Sequence, residues 1–352
     1  MTGPADVDVI ELEVLEGLVP FVRDELDRLG EQGAGVEVLD QDATAVRLRA
    51  PASARAELVA LRTVVAAYVV LVFDVARPRT LLSPEHLRTI TDEVARIRKA
   101  NPKGSFSGFR ISAAGSDSED FRRLGDELTR ATGLVHDPDD GELLLRVRRS
   151  KVDAQGWDVL VRLTPRPSAT RAWRVANYPG AVNATIAAAM VDVSGPDPGD
   201  RFLNLMCGSG TLLVERLAHG APTEVVGVDH APEALDATRA NLRAARRKGR
   251  VDLWEADATA LVEVTAPRFD VLVADLPWGT LVGSHEDNAV LYPAVLAEAA
   301  RVAVRGARFV VLTHEVRLME RTVRDQDAWR PVSEVRVFQK GHHPRLLRLE
   351  RM

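Results

Sequence analysis

RFLNLMCGSGTLLVERLAHG, residues 201–220, runs from a strand through a glycine turn into a helix. Within it, NLMCGSGT at 204–211 is the turn. Gly208 and Gly210 let the backbone bend tightly and come close to a ligand, and the helix that follows presents free N–H groups. The turn has neither the spacing nor the lysine of a Walker phosphate loop, and it is not a GxGxxG dinucleotide turn. On its own such a turn says little. Its neighbours decide what it belongs to.

From about residue 180 the chain alternates strand and helix. The expected strands are RFLNLM, TEVVGVD, VDLWEAD, FDVLVADLP and RFVVLTH. The expected helices are AVNATIAAAMVDV, GTLLVERLAHG, PEALDATRANLRAARR and DNAVLYPAVLAEAARVAV. FDVLVAD is apolar on both faces, as a central parallel strand should be. The alternation implies right-handed βαβ units in a doubly wound, mostly parallel sheet, with VSEVRVFQ and RLLRLER as a terminal antiparallel hairpin. Upstream, residues 1–80 mix strand-like runs with the helical LVPFVRDELDRLG and suggest a small α+β domain. Residues 81–170 open with SPEHL, a helix N-cap with proline in the first turn, and continue through further strand- and helix-like runs. TPRPSATRAWR reads as a seam before the last domain, 171–352.

Strand tips carry function in open α/β sheets. The second strand ends at Asp229, where an acid can accept both hydroxyls of a ribose; a cap on the helix PEAL explains it nearly as well. The third ends just before Asp257, for which a turn or a cap is an equal alternative. The fourth runs into DLPWG, 275–279. Asp, Pro and Gly favour turns, so a plain turn is one reading and a chemical tip the other.

At 352 residues, 46% hydrophobic and 28% charged, the chain has the balance of a soluble protein of two or three domains. No apolar run approaches the ~20 residues that span a bilayer, and the N-terminus lacks a secretory signal. Cys207 is the single cysteine, so no internal disulfide is possible and a cytoplasmic protein is expected. The net charge of −5 does not announce a nucleic-acid binder, but its distribution is uneven. Residues 1–80 carry 8 Arg and no Lys against 14 acids, whereas 81–175 carry 17 basic against 14 acidic residues. RANLRAARRKGR at 239–250 and QKGHHPRLLRLER at 339–351 are denser still. Local patches matter more than the sum for phosphate contact, although a solvated helix face would look the same. His342 and His343 have no metal-ligand spacing partner and are expected at the surface or facing RNA; no metal is expected.

The strand tips in order, glycine-rich, acidic and acidic, resemble class I S-adenosylmethionine-dependent methyltransferases, and DLPWG is similar to their [DN]PP[FYW] amine-methylating signature. RAWRVANYPGAVNATIAAAMV, MCGSGTLLVE and DLPWGTLVGSHEDNAVLYPAVLAEAARV resemble the THUMP-containing tRNA guanine-N2-methyltransferases. KGSFSGFRISAAGSDSEDFRRLGDELTRATG looks like the THUMP domain itself. The resemblance implies a Rossmann-like methyltransferase domain at 171–352, a THUMP-like RNA-binding domain at 81–170 and a ferredoxin-like domain at 1–80. It implies S-adenosylmethionine as cofactor, held by Asn204, Met206, Cys207, Gly208, Gly210, Thr211, Asp229, Asp257 and Ala258. Asn204 and Leu205 stand where relatives usually have an acid and a proline, so weaker cofactor binding is expected. Cys207, inside the turn, is expected to pack rather than to react.

The catalytic group implied is Asp275, Leu276, Pro277 and Trp278. The Asp275 side chain and the Leu276 carbonyl would accept hydrogen bonds from an exocyclic amine whose lone pair is spread into a purine ring. Pro277 would stiffen the turn, Trp278 would stack on the base, and Gly279 would leave room for its edge. Cytosine-carbon methylation needs a cysteine nucleophile, and none lies near this tip. The expected function is methylation of the 2-amino group of a tRNA guanosine by a monomer that grips the acceptor end. The alternatives are another amine acceptor (ribosomal guanine, adenine in nucleic acid, a glutamine side chain, a small metabolite) or an RNA-binding module with a degenerate cofactor pocket.

Overall fold

The computed structural model describes residues 7–152, 155–266, 268–278, 285–339 and 341–352. The chain divides into two compact units, one of 1–14 with 22–169 and one of 15–21 with 170–352.

In the first unit the strands are β1 (Val7–Val14), β2 (Glu37–Gln41), β3 (Ala45–Pro51), β4 (Val64–Phe73), β5 (Gly108–Ala113), β6 (Val135–His136), β7 (Leu143–Arg149) and β8 (Trp157–Arg162). The helices are α1 (Val19–Glu31), whose first turn belongs to the second unit, α2 (Arg55–Ala60), α3 (Pro84–Ala100) and α4 (Glu119–Thr132). All eight strands join one sheet in the order β2-β3-β1-β4-β8-β7-β5-β6. The antiparallel β4–β8 pair, from Tyr68↔Arg162 to Phe73↔Trp157, carries this sheet across residue 80. The SPEHL opening behaves as the sequence suggests: the Ser83 side chain accepts the His86 N–H, with Pro84 in the first turn of α3.

The second unit holds α5 (Ala184–Ser194), β9 (Arg201–Leu205), α6 (Thr211–Ala218), β10 (Glu224–Asp229), α7 (Pro232–Ala245), β11 (Asp252–Glu255), β12 (Phe269–Asp275), α8 (His285–Val302), β13 (Ala303–Thr313), α9 (Val316–Arg324), β14 (Trp329–Arg336) and β15 (Arg345–Arg351). Its sheet runs β11-β10-β9-β12-β13-β15-β14. The first five strands are parallel, and β15 and β14 close it as the expected antiparallel hairpin. This is the Rossmann-like methyltransferase fold. Leu203, Val226, Leu272 and Phe309 pack on one face beneath Tyr292, Val295 and Leu296 of α8 and Met319 of α9. Phe202, Val225, Val271, Val273 and Val310, which alternate with them, are equally buried. Burial on both faces explains why the strands read as continuous apolar runs.

The strand order fixes where a ligand can sit. β9 has β10 on one side and β12 on the other, so the chain winds away from it in both directions. A crevice opens at the carboxyl ends of strands at such a switch point. Register sets Val273 against Asn204 and Ala274 against Leu205, so the residues just beyond, Asp275 and the glycine turn, face one another across that crevice. Among the described residues no helix is long and apolar enough to cross a membrane.

Candidate cofactor and acceptor site

The turn after β9 is held by four neighbours. Met206, Gly208 and Gly210 have φ of +50°, +53° and +77°. For Gly210 a side chain is excluded twice over, since a Cβ there would lie 2.8 Å from Thr238 Cγ2 on α7. At Gly208 the nearest atom to such a Cβ would be Tyr178 Cδ1 at 3.8 Å, so only the conformation favours glycine there. The Cys207 N–H donates to Val228 O (2.8 Å). Thr238 Oγ1 donates to Gly208 O (2.7 Å), and Asn241 Nδ2 to Ser209 O (2.9 Å). Asn241 also accepts from the N–H groups of Val175 and Ala176 and donates to Ala176 O, binding the 173–178 segment to the turn.

Asp229 serves the turn directly. Its Oδ2 accepts the Gly208 N–H (2.8 Å) and its Oδ1 the Ala231 N–H (3.1 Å), the latter at the N-cap of α7. The Oδ1 bond makes a short turn before α7 rather than a cap on it, since the N-cap is Ala231 and no side chain caps the helix; each carboxylate oxygen keeps a second lone pair for a hydroxyl donor. Asp257 closes its own turn, with Oδ1 accepting the Thr259 N–H (2.8 Å) and hydroxyl (2.7 Å). Those bonds hold its carboxyl below the usual range, so it stays ionised at the exposed tip of β11. Asn204 is buried and donates to the carbonyls of Leu205 (3.1 Å) and Val273 (3.3 Å). This fixes its amide with Oδ1 buried and without a partner, an acceptor waiting for a donor such as an ammonium. Ser209 Oγ is likewise buried and unpartnered. These groups fit the ammonium and hydroxyls of S-adenosylmethionine.

The remaining positions have quieter parts. The Thr211 hydroxyl is buried and accepts from Arg174 Nη2 (2.9 Å). Ala258 is buried in the core beside the Asp257 turn. The Cys207 thiol is buried, and burial together with the Asp229 charge pushes it up to about 12, so no thiolate forms at neutral pH.

At the tip of β12 the Leu276 N–H donates to Leu312 O (3.0 Å), carrying the β12–β13 ladder one residue past Asp275. The Pro277 carbonyl accepts from both Asn288 Nδ2 (2.9 Å) and Tyr292 Oη (2.8 Å) of α8. Tyr292 Oη lies 3.0 Å from Thr313 Oγ1 at the end of β13. The turn is thus held by its backbone carbonyl. Among the described residues the Asp275 carboxylate takes the Trp278 indole N–H (3.4 Å). Burial pushes the Asp275 carboxyl up to about 7, partly opposed by that indole bond. The Trp278 ring lies 4.0 Å from His314 (43° between planes) and 6.5 Å from His342, and the two imidazoles are 4.8 Å apart. Gly279 lies outside the described residues. Among the described residues no cluster of His, Cys, Asp and Glu could hold a metal ion.

Sequence reasoning missed Tyr178, Asn241, Asn288, Tyr292 and His314. Asn241, Asn288 and Tyr292 reach the site through hydrogen bonds to residues far off in sequence and His314 through a ring contact, and only the NYPG turn, an aromatic with Pro and Gly between two motifs, gave a local signal.

Residues 171–345 match the family model described as RMKL-like, methyltransferase domain. Over 352 aligned residues the chain is 28% identical to the tRNA (guanine(6)-N2)-methyltransferase of Thermus thermophilus, covering 97% of this chain and 99% of that protein. It is 26% identical over 185 residues to the mouse tRNA (guanine(6)-N(2))-methyltransferase THUMP3, which covers 49% of this chain and 37% of that one. The chain therefore spans little more than a third of the mouse relative, but nearly all of the bacterial one. The crystal structure of TrmN from Thermus thermophilus superposes with a TM-score of 0.73 at 25% identity, over 98% of this chain and 99% of that chain.

Proposed function

We propose that this chain, whose residues 171–345 form an RMKL-like methyltransferase domain, moves a methyl group from S-adenosylmethionine to the 2-amino group of a guanosine in tRNA. The observation that carries the reading is the carboxylate of Asp275, set across the switch-point crevice from the glycine turn and bonded, among the described residues, to the Trp278 indole. The whole-length likeness to a bacterial tRNA guanine-N2-methyltransferase supports the acceptor.

When bound, S-adenosylmethionine supplies an electrophilic methyl group. Asn204 Oδ1 accepts from its ammonium, Asp229 from its ribose and Asp257 from its adenine amine. On the acceptor side, Asp275 and the Leu276 carbonyl take the two N–H groups of the guanine amine, which raises electron density on nitrogen and aims its lone pair. Trp278 stacks on the base, which must leave its helix to reach a strand tip. Asp275 is also placed to receive the proton that the methylated amine sheds. The staple on Pro277 O keeps these groups in register before substrate arrives.

RNA is held by residues 1–169, with 81–170 as a THUMP-like domain and 1–80 as a ferredoxin-like one. Arg98, Lys99 and Lys103 line a cavity of about 320 Å³ with Ser105 and Phe106, the setting of a phosphate contact. Arg243, Arg246, Arg247 and Lys248 are exposed at the end of α7. The place of action is the cytoplasm, where tRNA is modified. Mass analysis of tRNA nucleosides from a deletion strain tests the reading: N2-methylguanosine should fall, and an unchanged profile would reject tRNA as the acceptor.

Two further outcomes are expected. Asp229→Ala should weaken S-adenosylmethionine binding by on the order of 2 kcal/mol through lost charge-assisted bonds. Because the same carboxylate holds the Gly208 and Ala231 N–H groups, a modest loss of thermal stability should accompany it. Calorimetry giving wild-type affinity would retire the assignment. RNA affinity should fall by about tenfold or more between low and physiological salt if several basic residues meet phosphates. A flat salt dependence in filter binding would count against the proposed grip.

A further inference from the structure

We propose that Trp278, His314 and His342 form a prebuilt aromatic stack that presents one indole face to the acceptor base, with the two histidines as positioning residues. The proposal rests on the guanosine reading above and names what orients the base. Three chain segments converge to make the stack. Trp278 follows the stapled Pro277, His314 follows Thr313 at the end of β13, and His342 sits in the turn between β14 and β15, closed by its bridge to Gln339.

The rings are close enough to fix one another, with His314 4.0 Å from the indole centroid and His342 edge-on to His314 at 4.8 Å and 85°. His314 therefore covers one face of Trp278, and Asp275 takes the indole N–H. The opposite face is the one we assign to a planar base. A lone Trp at a turn would lose side-chain freedom each time a base stacked on it; one already packed against imidazole has lost that freedom on folding. Among the described residues His314 Nε2 is buried without a hydrogen-bond partner, and the ring packs against Trp278 and His342. Burial and the neighbouring His342, partly opposed by Glu315, hold the His314 imidazole below its ordinary pKa, so it stays neutral at neutral pH.

The test compares full-length wild type with His314→Ala, His314→Phe and His342→Ala on an unmodified tRNA transcript. Removing the support of a stacking face should raise the KM for tRNA by about tenfold, with a smaller fall in kcat and with thermal stability and S-adenosylmethionine affinity kept. His314→Phe, which restores a flat ring, should recover most of the loss. Acrylamide quenching of the Trp278 emission, taken as the difference between proteins with and without Trp278→Phe, should increase in His314→Ala because the second face opens. A wild-type KM in His314→Ala, or His314→Phe as impaired as His314→Ala, would overturn the proposal, the latter by making Nε2 the functional atom. Unchanged quenching would also overturn it. If wild type transfers no methyl to tRNA, the guanosine reading fails, and the quenching comparison still decides whether the stack exists.

Discussion

Asp275→Ala is expected to slow methyl transfer by about a hundredfold or more, since it deletes one of two acceptors that prepare the amine. Affinity for S-adenosylmethionine should hardly change, because the groups proposed to hold it, Asn204, Asp229 and Asp257, lie on other strand tips. The structure sharpens the contrast with a plain turn. The turn is held by Pro277 O, which takes Asn288 and Tyr292, and by the Leu276 N–H on Leu312. Among the described residues Asp275 bonds to the Trp278 indole. If the tip were only a turn, Tyr292→Phe and Asn288→Ala would be the damaging changes, acting through stability, and Asp275→Ala would leave the rate intact. Single-turnover transfer from labelled cofactor to undermodified tRNA, on variants that melt like wild type, separates the two. Wild-type rates for Asp275→Ala would sink the catalytic role.

What the sequence made legible follows from where the information sits. Strands β9, β10, β12 and β13 are buried on both faces, so their apolar runs announce them, and the acids and glycines at their ends stand out against that background. α9 went unread because it is short and charged, with only Met319 and Thr322 buried. β4 and β8 each read as a strand, but their pairing spans some 90 residues of chain, and nothing local encodes it. The same holds at the site. Asn288 lies 11 residues from the carbonyl it holds, and His342, which the sequence placed at the surface or facing RNA, reaches Trp278 from the terminal hairpin. Residue types can be guessed from chemistry at a tip; the groups that hold the tip in place depend on contacts that only the fold creates. Asp229 shows a further reason: the cap that the sequence offered is absent, since Ala231 is the N-cap without a side-chain bond, and the same carboxylate instead takes the Gly208 and Ala231 N–H groups.

The position of Asp275 also carries a cost that a pH series can measure. In the unfolded chain its carboxyl titrates at the ordinary 3.8, and in the folded protein burial raises it to about 7. Between those values the folded state keeps a proton that the unfolded state has given up. Stability contributed by the neutral form is therefore complete below about pH 4, declines as pH rises towards 7, and is lost above it. Roughly three pH units of separation correspond to about 4 kcal/mol at the upper bound. Asp275→Asn carries no such proton and keeps an acceptor for the Trp278 indole. It should melt at a higher temperature than wild type at pH 8, with the advantage shrinking towards pH 4. The rate should show the complementary pattern. A protonated carboxyl donates where the amine needs an acceptor, so wild-type transfer should rise with pH through about 7. Asp275→Asn, slower but still an acceptor, should be flat across the same window. Thermal melts and single-turnover rates of both proteins from pH 5 to 8 check the two together. A melting difference independent of pH would mean that Asp275 is not held neutral by its burial, and a flat wild-type rate profile would mean that its ionisation is not what the amine requires.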